Sequence, residues 1–232
     1  PEGPPAGAAV QVILYWQRRT IEGMYKKIAN ALARKRASLG PNRRLVGGGD
    51  AHPCDYLNFY CLATREAPYG STATMPPKKG TEEELLHRTR RHQIYVHSKM
   101  MIVDDSVALI GSANVNQRSL DGARDSEILL GSYQPAHMSA RESIPRGDVH
   151  GFRMHCWATT TGVMEDVLRD PKSLECVRRM NEIAEENWRT YTSEETVDMD
   201  SYLMPFPIDV AVDGSISARS DLKDGCFPDT KA

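Results

Sequence analysis

The chemistry-bearing residues of this 232-residue chain concentrate in one stretch, Ile94-Tyr-Val-His97-Ser-Lys99-Met-Met-Ile-Val-Asp104, followed by Gly111-Ser112-Ala-Asn114. A histidine can serve as nucleophile, acid or base near neutral pH. A lysine beside it adds a fixed positive charge. On a strand, alternate side chains share a face, so a strand here would project His97 and Lys99 together. Ser112 and Asn114 follow a returning strand, and a hairpin would bring them back beside that pair. Hydroxyl and amide donors there, with Lys99, suit the oxygens of a bound phosphoryl group. Glu127 lies on the next expected strand. A carboxylate accepting from one ring nitrogen of His97 would fix the other nitrogen for chemistry. A lone His-x-Lys is more simply a hydrogen-bonded core histidine with a lysine reaching for solvent. The longer pattern of His-x-Lys, four residues, Asp, six residues and Gly-Ser-x-Asn weighs against that.

The elements that must position these residues follow from periodicity. The span Ile94 to Val103 is β-branched and aromatic, hence a strand. Asp104-Asp105-Ser106 can turn it, Val107 to Ile110 returns, and Ser126 to Leu130 forms a third strand. Tyr56 to Leu62 reads as a buried strand. Upstream, Val10, Ile13, Leu14, Ile21, Met24, Tyr25, Ile28 and Leu32 recur at helical spacing and predict one amphipathic helix over Ala8 to Leu39. A second helix spans Pro171 to Tyr191, with Asp170 as its cap and Leu174, Val177, Met180, Ala184, Trp188 and Tyr191 as its stripe. Trp16, Trp157 and Trp188 fall on helical stripes, which assigns them to the core. Ser38 to Pro53, with Gly47-Gly48-Gly49 inside it, and Ala67 to Thr81 read as loops. Sequence after Ser193 is irregular, with a short strand near Ile208 to Val212. The expected division is 1–135, an α/β half carrying the His-x-Lys motif, and 136–232, a helical and irregular segment packed on it.

Composition narrows the classes. The formal charge is −2 and the pI near 6.4, which argues against a dedicated nucleic-acid binder. With 40% hydrophobic residues the chain can bury a core, so disorder throughout is excluded. No apolar run is long enough to span a bilayer. Five scattered cysteines fit reduced thiols better than a disulfide framework. His52, Cys54 and Cys61 lack a second close pair to complete a zinc site. The clusters Arg34-Lys-Arg36, Arg43-Arg44 and Arg88 with Arg90-Arg91 read first as solvated surface, and secondly as attraction to anionic lipid head groups. Arg118 and Arg124 flank the motif and suit either ion pairs with Asp121, Asp125 or Glu127, or a grip on phosphate.

The motif resembles the HKD motif of the phospholipase D superfamily. The stretch through Gly111-Ser-Ala-Asn-Val-Asn-Gln-Arg-Ser-Leu-Asp-Gly-Ala-Arg-Asp-Ser-Glu-Ile128 is similar to the second HKD motif of the plant enzymes, nearest the alpha type. The likeness continues through Ile13-Leu-Tyr-Trp-Gln17, Asp55-Tyr-Leu-Asn-Phe-Tyr-Cys-Leu62, Tyr133-Gln-Pro135, His150-Gly-Phe-Arg-Met154, Ser173-Leu-Glu-Cys-Val177 and Phe227-Pro-Asp-Thr-Lys-Ala232. It implies an α/β fold of phospholipase D type, a mixed sheet with helices on both faces. It also implies calcium-dependent cleavage of phosphatidylcholine and similar lipids to phosphatidate and a head-group alcohol, by an enzyme that is cytoplasmic and peripherally associated with the plasma membrane. His97, Lys99 and Asp104 match the motif's catalytic positions. His97 takes the acid/base part, Lys99 and Asn114 hold phosphate with Ser112 nearby, and Glu127 orients His97. Asp104 is expected in a structural ion pair more than in the chemistry.

One HKD motif is present; His87, His92, His137, His150 and His155 do not begin a second His-x-Lys. The family's chemistry uses two histidines. A first-motif half or a second copy of this chain must therefore complete the site at the phospholipid membrane surface, and the isolated chain is expected to be weakly active or inactive. The calcium ligands of the family are not identifiable in this chain. A non-catalytic lipid- or protein-binding fragment that keeps the fold is the alternative. Nuclease or phospholipid-synthase chemistry fits the charge and the plant-type surroundings of the motif less well.

Overall fold

The computed structural model describes residues 7–39, 51–68, 77–134 and 146–221. The chain gathers into two compact units that interleave along the sequence. One comprises Pro1–Cys61, Pro68–Arg90 and Met204–Ala232, the other Leu62–Ala67 and Arg91–Leu203. The division expected at residue 135 falls outside the described residues, as do Gly47–Gly49, Arg43-Arg44, His137 and Cys226.

In the first unit, helix α1 (Ala8–Ser38) confirms the long periodic segment. Its buried row is Ile21, Tyr25, Ala29 and Leu32, spaced at helical intervals. Strands β6 (Ile208–Val210) and β7 (Ile216–Ala218) form a hairpin whose Ile216 packs with Ile21 and Tyr25. The turn of that hairpin needs Gly214 twice over. Its φ is +80°, and a Cβ there would stand 2.6 Å from the Tyr25 carbonyl oxygen. Val10, Ile13, Met24 and Trp16, expected in the core, are exposed instead. A helix of this length extends about 46 Å, far more than a hairpin of three-residue strands covers. The strand expected from Tyr56 begins later, as β1 (Tyr60–Arg65). A 3₁₀ turn over Pro53–Asp55 takes up the start: the His52 ring accepts from the Cys54 N–H, and Asp55 returns a bond to the His52 N–H. His52, Cys54 and Cys61 thus serve structure; Cys61 donates to the Pro205 carbonyl, and burial pushes the Cys54 thiol up to about 11. Helix α2 (Glu82–Thr89) is capped by the Thr81 hydroxyl.

In the second unit, Leu62–Arg65 of β1 pairs antiparallel with β2 (Arg91–Ile94), placing Arg65 opposite Arg91. Like charges directly across a ladder repel. Both side chains turn to the end of helix α5 (Leu174–Thr192). Arg65 donates to the Thr190 and Ser193 carbonyls at 2.8 and 3.0 Å, and Arg91 to those of Tyr191 and Thr192 at 2.6 and 3.0 Å. Cations at a helix C-terminus meet its negative end and its orphan carbonyls. Helix α5 buries Cys176, Met180, Ile183, Ala184 and Trp188. Its cap is Ser173, whose hydroxyl accepts from the Cys176 N–H at 3.1 Å, not the expected Asp170. Asp170 instead closes a turn before the helix, its carbonyl accepting from the Ser173 N–H. Helix α4 (Asp148–Thr161), which periodicity had not singled out, ends on Gly162 at φ +72°. There Trp157 is half-buried under the Arg153 guanidinium, 4.3 Å away.

The second sheet of this unit has the order β3-β4-β5: β3 (Met100–Val103), β4 (Val107–Gly111) and β5 (Leu129–Tyr133), all antiparallel. The class is α/β, with small antiparallel sheets and helices, consistent with a phospholipase D-type domain. Among the described residues no helix is long and apolar enough to cross a membrane.

Candidate active site

The continuous strand expected over Ile94 to Val103 is two strands. β2 ends at Ile94 and β3 begins at Met100, with residues 95–99 between them outside any ladder. The reason is topological: β2 pairs with β1, and β3 pairs with β4 in another sheet. His97 therefore lies on the link, exposed to solvent, with the Tyr95 ring 5.9 Å away on the same side. Lys99 joins the ladder through its carbonyl, which accepts from the Gly111 N–H at 3.1 Å. Its ammonium bends back to the His97 carbonyl at 2.5 Å. One backbone rung thus ties the His-x-Lys link to the Gly-Ser-x-Asn loop.

Glycine is required at 111 because a Cβ would stand 2.1 Å from the Ile128 carbonyl oxygen. That approach lets the Ser112 N–H reach the same oxygen at 3.0 Å, and the Ile128 N–H reach the Ser112 hydroxyl at 3.0 Å. The Ser112 proton goes to Glu127, 2.6 Å away. A hydroxyl has one proton, so in this arrangement Ser112 is committed to the loop. Glu127 also accepts from Ser119, whose oxygen takes the Asn114 N–H at 3.1 Å. The bonds from Ser112 and then Ser119 hold the Glu127 carboxyl below the usual range, with Asp125 opposing and Lys99 assisting. The expected hydrogen bond from a His97 ring N–H to Glu127 is not formed; the carboxylate oxygens accept from Ser112 and Ser119 instead. Asn114 is exposed. The groups of this loop left to meet a phosphoryl oxygen are the Asn114 amide, the Lys99 ammonium and an N–H of His97.

The aspartates divide their parts differently from expectation. The turn after β3 puts Asp104 and Asp105 at φ +53° and +51°, the left-handed pair of a tight hairpin, and Asp tolerates that region. Asp104, expected in an ion pair, is exposed and makes none among the described residues. Its neighbour Asp105 is 2% exposed and takes Arg153 Nε at 2.7 Å, Arg153 Nη2 at 2.8 Å and His150 Nδ1 at 2.8 Å. Burial alone would raise the Asp105 carboxyl, but the bonds from Arg153 and His150 outweigh it and hold the group below the usual value. Arg118 pairs with Asp125 at 3.1 Å, and Arg124 makes no ion pair among the described residues. Sequence reasoning missed Ser119, Asp105 and Arg153 as organisers of this region. Ser119 and Arg153 stood inside the quoted stretches and Asp105 in the expected turn, and those were their only signals.

Among the described residues no three His, Cys, Asp or Glu side chains gather as a metal site.

Comparison with known proteins accounts for the pattern. The family model for phospholipase D matches residues 1–232. The chain is 46% identical over 235 residues to phospholipase D alpha 1 of Zea mays, covering 100% of this chain and 27% of that protein. Against phospholipase D alpha 2 of Oryza sativa subsp. japonica the figure is 44% with the same coverage. Against phospholipase D beta 2 of Arabidopsis thaliana it is 43% over 234 residues, covering 99% of this chain and 24% of that protein. The chain thus spans about a quarter of the length of these curated relatives. A match along the whole chain, with the His-x-Lys link and the Gly-Ser-x-Asn loop joined by a direct rung, places the protein in the phospholipase D family.

Proposed function

We propose that this chain is the second-motif half of a phospholipase D that hydrolyses phosphatidylcholine and related lipids. The observation that carries the reading is the rung from the Gly111 N–H to the Lys99 carbonyl. It brings the only motif histidine and lysine beside the loop that offers Asn114. A histidine from a first-motif half attacks phosphorus, forming a P–N bond as the P–O bond to the head group breaks. His97, protonated, gives its proton to the departing alcohol oxygen. Neutral His97 then takes a proton from water as that water displaces the phosphohistidine nitrogen, releasing phosphatidate. Lys99 and Asn114 stabilise the charge on the phosphoryl oxygens. Ser112 and Glu127 shape the loop rather than touch the substrate. Asp104 stays outside the chemistry.

The complementing histidine comes from a partner half or from a second copy of this chain, at a phospholipid surface on the cytoplasmic side of the plasma membrane. Exposed apolar side chains on the β3-β4-β5 sheet, among them Met101, Val103, Leu129 and Tyr133, support a need for such a partner. Calcium belongs to this reading as the cofactor that the resemblance implies, with ligands not identifiable in this chain. The same exposed faces favour a second reading, a non-catalytic binding fragment.

The test is choline release from phosphatidylcholine vesicles with calcium, by the chain alone and mixed with a separately expressed first-motif half. Release only from the mixture, abolished by His97→Ala, supports the reading. Vesicle binding without turnover in either preparation overturns it in favour of the binding fragment. Activity of the chain alone as a dimer assigns the second histidine to its own copy.

A further inference from the structure

We propose that Ser119 is a positioning residue of the phosphoryl site, holding Asn114 in place from the turn that follows the Gly-Ser-x-Asn loop. This deepens the reading of the Gly111–Asn114 loop as a phosphate loop and rests on it. The Ser119 side chain uses both capacities of a hydroxyl. It donates to Glu127 Oε1 at 2.5 Å and accepts from the Asn114 N–H at 3.1 Å. Ser112, at the other end of the loop, donates to Glu127 Oε2 at 2.6 Å. One carboxylate therefore fixes the loop at both ends, directly at 112 and through Ser119 at 114. Ser119 is itself anchored. Its N–H donates to Asn116 Oδ1 at 3.1 Å, capping the single turn α3 (Gln117–Leu120), and its side chain is half-buried where its neighbours are exposed. The Asn114 carbonyl accepts from the Asn116 N–H at 2.9 Å, so both backbone groups of Asn114 are tied to the turn that carries Ser119, and the Ser119 bond fixes its N–H side.

The arrangement makes the loop answer to the charge of Glu127. An ionised carboxylate accepts from both serines; a protonated one gives up part of that capacity. The other charged groups that face Glu127 are Asp125 and Lys99. Removing the Ser119 hydroxyl takes away one of the bonds that favour the ionised form, so Glu127 then protonates at higher pH.

The probe is sulfate, a phosphoryl mimic whose charge does not change in the mildly acidic range, titrated into the unmodified chain, Ser119→Ala and Ser119→Thr, with circular dichroism as a folding control. The expected result is about fivefold weaker sulfate binding for Ser119→Ala, with recovery in Ser119→Thr. The acid limb of the binding curve should also move to higher pH in Ser119→Ala. A general structural defect would weaken binding without moving that limb. If the unmodified chain binds sulfate and Ser119→Ala matches it in affinity and pH profile, the role of Ser119 is overturned while the phosphate loop stands. If the unmodified chain binds no sulfate, the phosphate-loop reading fails and takes this proposal with it.

Discussion

Asp105 and Glu127 are both held below the usual carboxylate range, by opposite means. Asp105 is almost fully buried, and a guanidinium grips it with two bonds while His150 adds a third. Glu127 sits near the surface, and two neutral hydroxyls suffice. The difference follows from solvation. A charge taken out of water needs a countercharge with its own donors satisfied, or it neutralises. Arg153 meets that need because its remaining donors reach the Leu168 and Arg169 carbonyls at 2.7 and 3.3 Å and its face lies on Trp157. Glu127 keeps contact with water and requires only direction from its partners. The buried cluster therefore ties the β3–β4 turn to α4 as a fixed joint. The exposed cluster shapes a loop and remains responsive to pH.

The largest effect should come from breaking the fixed joint. Arg153→Met leaves Asp105 buried without its partner and should cost about 3–5 kcal/mol, read by urea unfolding at neutral pH. The sign of its pH dependence distinguishes this cause from lost packing. In the native chain the folded Asp105 pKa is depressed, so its stabilisation is present above the ordinary carboxylate value and lost as pH falls through the folded one. In Arg153→Met the buried carboxyl keeps only the His150 bond and shifts upward, so acid relieves its penalty. The stability gap between the two proteins should narrow from pH 7 towards acid. A gap that stays constant would mean that packing on Trp157, not the ion pair, carries the joint.

A smaller effect is expected where the two regions share strand β4. In Gly111→Ala the new Cβ meets backbone atoms, the Ile128 carbonyl oxygen at 2.1 Å and the Leu129 Cα at 2.8 Å. Neither can swing aside, so β4 and β5 must part. The expected loss is about 1–3 kcal/mol, and sulfate binding should weaken because the Ser112 rungs to Ile128 open. Normal stability together with normal sulfate affinity would show that the close approach of β4 and β5 does not shape the loop.

How far these regions were legible beforehand depends on the kind of signal each carries. The types and spacing of His97, Lys99 and Asn114 marked the stretch from which the proposed chemistry is argued, because the motif is nearly contiguous and its two parts meet in one backbone rung. Turn residues announced the β3–β4 hairpin, and periodicity announced α1 and α5. The break between β2 and β3 was hidden because both halves are apolar and β-branched; the change of sheet that divides them is a tertiary event. Nothing local chooses between Asp104 and Asp105. The left-handed backbone of both decides which carboxyl faces inward, and only α4, with Arg153 and His150, rewards one of them. Ser173 displaced Asp170 as a cap by where the helix starts, a boundary that periodicity locates to within a turn. Ser119 and Ser112 reach Glu127 across separations of 8 and 15 residues, and hydroxyl–carboxylate bonds of that kind leave no pattern in a sequence.

The smallest effect on stability should be at Glu127 itself, and it is the sharpest test of the contrast. Glu127→Gln keeps the shape and one acceptor oxygen, but the amide nitrogen now faces a serine hydroxyl as a donor. That hydroxyl can turn to water because the site is open. Unfolding should be nearly unchanged at neutral pH, whereas Arg153→Met falls steeply. Sulfate affinity should drop, and its acid limb should vanish, because the group responsible no longer titrates. In the native chain the depressed Glu127 pKa sets that limb below the ordinary carboxylate value: loop order is complete above it and declines as pH falls through the folded value. If Glu127→Gln lowered stability as much as Gly111→Ala, the exposed cluster would be a second fixed joint. If the acid limb persisted, its source would be another group at the loop. Either result would remove the distinction between a carboxylate that fixes the fold and one that tunes a site.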